Sequence, residues 1–102
     1  MNIRIEAAGD TLSVAGVHEL SAANATSFRD HVRSAMAPSL KNIEIDLSQA
    51  VFLDSSGLGA LISLHKTACS RQGMVRLLRP ANPVQQILEL TRMHRIFEIV
   101  RA

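Results

Sequence analysis

The sequence predicts an α/β fold: a mixed β-sheet of about five strands with helices packed mainly on one face. Three observations lead there. Short runs in which apolar residues alternate with polar ones mark strands, and three longer runs in which apolar residues recur every three or four positions mark helices. After an opening hairpin the two kinds of run alternate, in the order strand, strand, helix, strand, helix, strand, helix, strand. A hairpin followed by crossover units makes an antiparallel pair continued by parallel strands, with right-handed connections.

The elements follow in order. Ile3, Ile5 and Ala7 alternate with Asn2, Arg4 and Glu6, and Leu12 and Val14 alternate with Thr11 and Ser13, with Gly9-Asp10 as the tight turn between them. Ser21 is placed to cap a helix carrying Ala25, Phe28, Val32 and Ala35 or Met36 on one stripe, with Pro38 beyond its end. Ile43, Ile45 and Leu47 form the next strand, and Glu44 and Asp46 on its other pleat indicate a second face that is incompletely covered. A helix with Leu58, Leu61, Ile62, Leu64 and Ala68 inward follows, with Gly73 expected at its C′ position. Met74 to Leu78 reads as a short apolar strand. Asn82-Pro83-Val84-Gln85 predicts a helix start with Asn82 as cap and Gln85 placed for a capping box, and Val84, Ile87 and Leu88 as the buried stripe. Ile96 to Val100 reads as a last strand, the alternative being a helical tail.

Composition narrows the function classes. A chain of 102 residues suits one compact domain, residues 1–102, with a modest core. Trp and Tyr are absent and Phe occurs three times, so the core is aliphatic and base-stacking side chains are scarce. The formal charge of +2 is slight and the basic residues are scattered, which argues against a nucleic-acid surface. Arg92, Arg95 and Arg101 gather near the C-terminus with His94 and read as a solvated surface. The single cysteine, Cys69, cannot form an internal disulfide, and the N-terminus lacks the pattern of a signal peptide, so a cytoplasmic location is expected. The apolar stretch Leu58 to Leu64 is far short of the roughly 20 residues of a membrane span, so no direct membrane insertion is expected.

The most informative junction is Val51-Phe52-Leu53-Asp54-Ser55-Ser56-Gly57, where an apolar run gives way to apolar residues at helical spacing. Two hydroxyls beside a carboxylate stand at a helix start, where backbone N–H groups and the positive end of the helix dipole favour an added anion. Such a place suits a phosphoserine. Asp and Ser are also favoured helix caps, worth about 1 kcal/mol, so the same residues can serve only to start the helix.

Asp54-Ser55-Ser56-Gly57-Leu58-Gly59, preceded by Ile43-Glu44-Ile45-Asp46-Leu47-Ser48, resembles the signature of STAS-domain anti-sigma-factor antagonists, and the resemblance runs over essentially the whole chain. In that family the serine directly after the aspartate is phosphorylated by an anti-sigma factor that is also a serine kinase, and a metal-dependent serine phosphatase removes the phosphate. The resemblance implies a single STAS domain, Ser55 as acceptor with Ser56 as the rival, and Asp54, Ser55, Ser56, Gly57, Leu58 and Gly59 as the partner-binding surface. Gly57 would let a kinase approach the backbone, and Gly59 would serve close packing of helix on sheet. Asp54 would orient the hydroxyl, contact the phosphatase metal, or act as a plain turn carboxylate. The family implies no cofactor. The other reading is a STAS binding module that is never phosphorylated, such as a subunit of a transporter or of a stress-sensing complex.

One loop departs from the family pattern. Many relatives place Asp three residues after a glycine ahead of the first helix, whereas Gly16-Val17-His18-Glu19-Leu20-Ser21 places Glu19 there, so nucleotide or partner contacts through that carboxylate are not carried over. His65 and Cys69 stand four apart on one helix, a spacing able to hold a metal, but two ligands do not make a site, and a buried thiol beside a half-buried imidazole is expected. Catalysis is not expected: Leu53 stands where a nucleophile elbow around Ser55 would need glycine, and Gly57-Leu58-Gly59 lacks the further glycine and lysine of a phosphate-binding loop.

Overall fold

The computed structural model describes residues 2–101. Strands β1 (Arg4–Ala8) and β2 (Thr11–Ala15) form the opening hairpin, with Gly9 at φ 61° as the first of its two loop residues. Then come β3 (Glu19–Leu20), α1 (Ala25–Ser34), β4 (Asn42–Asp46), β5 (Phe52–Leu53), α2 (Ser55–Ser70), β6 (Val75–Leu78), α3 (Asn82–Leu90), a single 3₁₀ turn at Met93–Arg95 and β7 (Glu98–Val100).

Five strands make the main sheet in the order β1-β2-β4-β6-β7, with β1 antiparallel to β2 and the remaining pairs parallel. The expected mixed sheet is present. Its register aligns Leu12 with Ile43 and Val75, and Val14 with Ile45 and Leu77, so six side chains point to one face and are all buried. Helices close that face: Phe28 and Val32 of α1, Leu61, Leu64 and Ala68 of α2, and Val84 and Leu88 of α3 are buried with them. The opposite pleat places Glu6, Ser13, Glu44, Arg76 and Glu98 in one row across all five strands. Arg76 joins that row by bonds to Glu44 (2.7 Å) and Glu98 (3.0 Å), so this face stays wet, as the polar pleat of β4 predicts.

Several ends differ from the sequence expectation. Ser21 does not cap α1; its carbonyl accepts from the N–H groups of Asn24 and Ala25, a turn that delays the helix to Ala25. Gly73 is the C″ residue of α2: Gln72 takes the left-handed conformation (φ 63°), its N–H donates to Cys69 and that of Gly73 to Ala68, the pairing of a Schellman motif. Glycine is required there because a Cβ would overlap the Lys41 carbonyl. Ala81, in extended conformation, precedes α3, so Asn82 is the first helical residue and not the cap. Gln85 is buried and donates to Glu89 (2.8 Å) instead of closing a capping box. The last strand starts only at Glu98, because Arg92 turns left-handed (φ 60°) and the 3₁₀ turn intervenes.

Phe28 is fully buried between α1 and the sheet, so Phe28→Ala should destabilise the protein by about 3–5 kcal/mol. Glu98→Gln breaks only a half-exposed ion pair and should change stability by less than about 1 kcal/mol. Urea unfolding of the two variants beside the parent checks the contrast.

Candidate functional site

A second, two-stranded sheet builds the site. β3 runs parallel to β5, pairing Glu19 with Phe52 and Leu20 with Leu53. The ladder is extended at both ends, by Val51 N–H donating to the His18 carbonyl (2.9 Å) and Asp54 N–H donating to the Leu20 carbonyl (3.1 Å). Leu20 and Leu53 are buried, which leaves Glu19 and Phe52 on the outer side.

Asp54 is the cap of α2. Its backbone is extended, its Oδ1 accepts from Gly57 N–H (2.9 Å), and its Oδ2 accepts from Ala22 N–H (3.0 Å) in the loop that leads into α1. One carboxylate therefore starts a helix and ties it to a loop 32 residues earlier in the chain. The Gly57 N–H does most to hold the Asp54 carboxyl below the ordinary aspartate range, with partial desolvation opposing and the Ala22 and Ser56 N–H groups adding to the effect.

The two glycines exchange the roles expected of them. Gly57 is buried, and a Cβ there would overlap the Leu20 carbonyl and stand 2.7 Å from Leu53 Cδ1, so this glycine lets α2 press against β3. Gly59 is exposed, and a Cβ built on it meets nothing within 4 Å. Close packing inside the fold belongs to Gly57, and open backbone on the surface to Gly59.

Ser55 and Ser56, the first two residues of α2, are exposed, and Leu58 is half-buried. Beside them stand two apolar side chains that the sequence reading left out of the site: Val51 is 69% exposed and Phe52 50%. The run Val51-Phe52-Leu53 carries a signal for Phe52, which the strand pleat turns away from the side of buried Leu53, while Val51 precedes the strand and follows no such alternation. Val51, Phe52, Asp54, Ser55, Ser56 and Leu58 thus follow one another along the junction of β5 and α2.

The remaining candidates lie elsewhere or are changed. Gly16 adopts φ 81°, and the loop from Gly16 to Glu19 lines an open depression of about 450 Å³ with Asn24 and Ser27. Glu19 accepts a bond from the Ser21 hydroxyl (3.0 Å). Cys69 is exposed rather than buried, with its Sγ 3.4 Å from His65 Nε2, and the imidazole meets Phe97 edge-on. Among the described residues no group of three or more His, Cys, Asp or Glu converges as a metal site. None of their helices is long and apolar enough to cross a membrane.

The family model for the STAS domain matches residues 2–102. The chain belongs to the STAS-domain family. An anti-sigma factor antagonist, described as putative, from Thermotoga maritima superposes on this STAS domain with a TM-score of 0.88 at 25% identity, over 98% of this chain and 86% of that one. The anti-sigma factor antagonist SpoIIAA in its unphosphorylated form gives a TM-score of 0.82 at 18% identity, over 96% of this chain and 87% of that one. The murine anion transporter Slc26a9 gives 0.73 at 20% identity, over 88% of this chain but only 15% of the transporter. The last two likenesses concern the fold.

Two measurements test how this STAS domain holds its site together. Gly57→Ala should destabilise by about 1–3 kcal/mol because backbone blocks the new methyl, whereas Gly59→Ala should stabilise by roughly 0.5–1 kcal/mol through helix propensity. Denaturant midpoints of opposite sign are the expected result. Because the carboxyl of Asp54 ionises more readily folded than unfolded, its contribution is present above the ordinary aspartate range and lost as pH falls through the lowered folded value. Asp54→Asn should therefore lower the melting temperature at neutral pH and flatten its fall on acidification, which thermal scans across the acid range would register.

Proposed function

We propose that this chain is an anti-sigma-factor antagonist that binds an anti-sigma factor with serine-kinase activity while unphosphorylated and is released by phosphorylation of Ser55. The observation that carries the reading is the setting of Ser55: an exposed hydroxyl directly after a carboxylate that is locked by two backbone bonds, beside the exposed apolar side chains of Val51 and Phe52. An apolar surface of this kind favours a protein partner, since burying a side chain the size of Phe52 is worth on the order of 1.5–3 kcal/mol.

A phosphate on Ser55 adds roughly −1.5 to −2 charges. The deeper N–H of the first helical turn, on Gly57, is already bonded to Asp54, so the phosphate gains little from the helix end and stands beside a like charge. Pressing that dianion against a partner surface costs several kcal/mol of desolvation, more than a typical interface can spare. Release follows, and a metal-dependent serine phosphatase would reset the protein. Regulation of transcription, or of another output switched through the same partner, is the consequence. The chain itself acts by binding and not by catalysis.

A second reading, an unphosphorylated STAS module within a transporter or a larger assembly, is supported by the likeness to the Slc26a9 structure. One set of measurements separates the two: phosphopeptide mapping after incubation with ATP and the anti-sigma kinase of the same genome, beside binding titrations. The parent and Ser56→Ala should gain one phosphate and lose affinity, and Ser55→Ala should bind and stay unmodified. Ser55→Asp, with one charge instead of nearly two, should weaken binding without abolishing it. Label retained in Ser55→Ala but lost in Ser56→Ala would move the acceptor to Ser56, and tight binding by fully phosphorylated parent would refute the mechanism.

A further inference from the structure

Among the described residues, strand β1 is an edge of the main sheet, with β2 on one side and no strand on the other. Which of its backbone groups face outward follows from the register. The Asp10 carbonyl accepts from the N–H of Asn42 on β4 (3.0 Å), so Leu12 and Val14 direct their backbone groups to β4, and Thr11, Ser13 and Ala15 direct theirs to β1. The partners of those three are Ala8, Glu6 and Arg4. The N–H and C=O groups of Ile3, Ile5 and Ala7 are thereby left on the open edge. The register runs without a bulge from Arg4 to Ala8, and the segment holds neither proline nor lysine, so three of the devices that blunt an edge strand are missing. Arg4 and Glu6 stand on one pleat, both exposed, opposite Ala15 and Ser13, which carry no charge. Among the described residues neither of them joins an ion pair. On the other pleat Ile3 and Ile5 are half-buried against the core.

From this arrangement we infer that β1 pairs antiparallel with β1 of a second copy of this chain, about a two-fold axis at Ile5. That axis sets Ile5 opposite its own copy, Ile3 opposite Ala7, and Arg4 opposite Glu6, the last two pairings each occurring twice by symmetry. Ile5 bonds outward, so the Ile5 pair and the Ile3–Ala7 pairs exchange backbone hydrogen bonds. Arg4 and Glu6 then meet in the non-hydrogen-bonded positions, where opposed side chains come closest. Charge selects this register. Moving the axis by one residue sets Arg4 against Arg4 or Glu6 against Glu6, and like charges directly opposite one another are destabilising. The axis stands perpendicular to the sheet, so the helices of both copies lie on the same side and the remaining exposed surface of Ile3 and Ile5 is set against the partner strand. One short strand buries less than a permanent interface does, so the dimer forms as concentration rises. The pairing goes beyond the partner-switching reading and does not depend on Ser55.

The test is sedimentation of the protein, purified without an N-terminal tag, from micromolar to millimolar concentration at low salt, for the parent, Arg4→Glu, Glu6→Arg and the double variant Arg4→Glu/Glu6→Arg. The parent should pass from monomer to dimer. Each single reversal sets like charges opposite one another twice and should weaken the dimer roughly tenfold, whereas the double variant should restore it. An equimolar mixture of the two single variants should form a heterodimer, because each then meets the opposite sign. Hydrogen exchange reads the backbone: the amides of Ile3, Ile5 and Ala7 should become protected as concentration rises, while those of Glu6 and Ala8, directed to β2, are protected throughout. A parent that stays monomeric at millimolar concentration, single reversals that dimerise as the parent does, or species larger than a dimer would each overturn the inference. Protection of the outward amides only after the anti-sigma factor of the same genome is added would also overturn it, and would give the edge to that partner.

Discussion

The contact on which the site depends is the approach of α2 to the short strand β3, where Gly57 meets the Leu20 carbonyl without an intervening side chain. A helix that must start against a strand backbone cannot carry a Cβ at the point of closest approach, and it needs its first N–H groups satisfied by something that fits the narrow space. Asp54 supplies that at one atom's reach on each side, through Gly57 and through Ala22. The same carboxylate fixes the loop that enters α1, so two helices and the two-stranded sheet share one anchor. With these fixed, Ser55 and Ser56 can only project outward, and the outer side of β5 carries Phe52 along with them.

This anchoring changes how a charge at Ser55 would be felt. A bare helix terminus welcomes an anion, and a phosphoserine there would be stabilised by the free N–H groups and the dipole. Here the capping carboxylate has taken the deeper position, so a second anion meets a neighbour of its own sign and an end of the helix already compensated. A phosphate on Ser55 would by itself turn the surface from apolar and weakly polar around Phe52, Leu58 and the serines to strongly anionic. A phosphorylation switch at Ser55, as proposed, would work through the partner's desolvation more than through rearrangement of this chain.

Much of the fold is legible in the sequence because burial on one sheet face enforces strict alternation: Leu12, Val14, Ile43, Ile45, Val75 and Leu77 are all buried, and the charged pleat between Ile43 and Ile45 correctly marks the open face. Ser55 and Ser56 also stand where the junction places them, at the first turn of α2. What escaped the periodicity has local causes. β3 and β5 are two residues each, too short to show a period, so the sheet that builds the site has no pattern of its own. Asn82 looked like a cap because Pro83 favours the first helical position, but Ala81 is already extended and the helix gains one residue. Cys69 follows Ala68 by one residue, which turns it about 100° from the buried stripe and leaves it outside.

The exchange of roles between Gly57 and Gly59 was readable in principle, and it shows which kind of sequence argument reaches a functional surface. Positions 57, 61, 64 and 68 are separated by four, three and four residues and fall on one face of α2, and all four are buried. Position 59 is about 200° away from position 57 on the same helix. The phase set by Leu61, Leu64 and Ala68 therefore already assigns Gly57 to the interior and Gly59 to the outside. A glycine-rich signature beside a candidate acceptor invites the inference that every glycine serves a partner, but helix phase divides them: Gly57 is spent on packing α2 against β3, and Gly59 stays on the surface. Motif likeness identifies the family, and the phase of the helix decides which of its atoms a partner can reach.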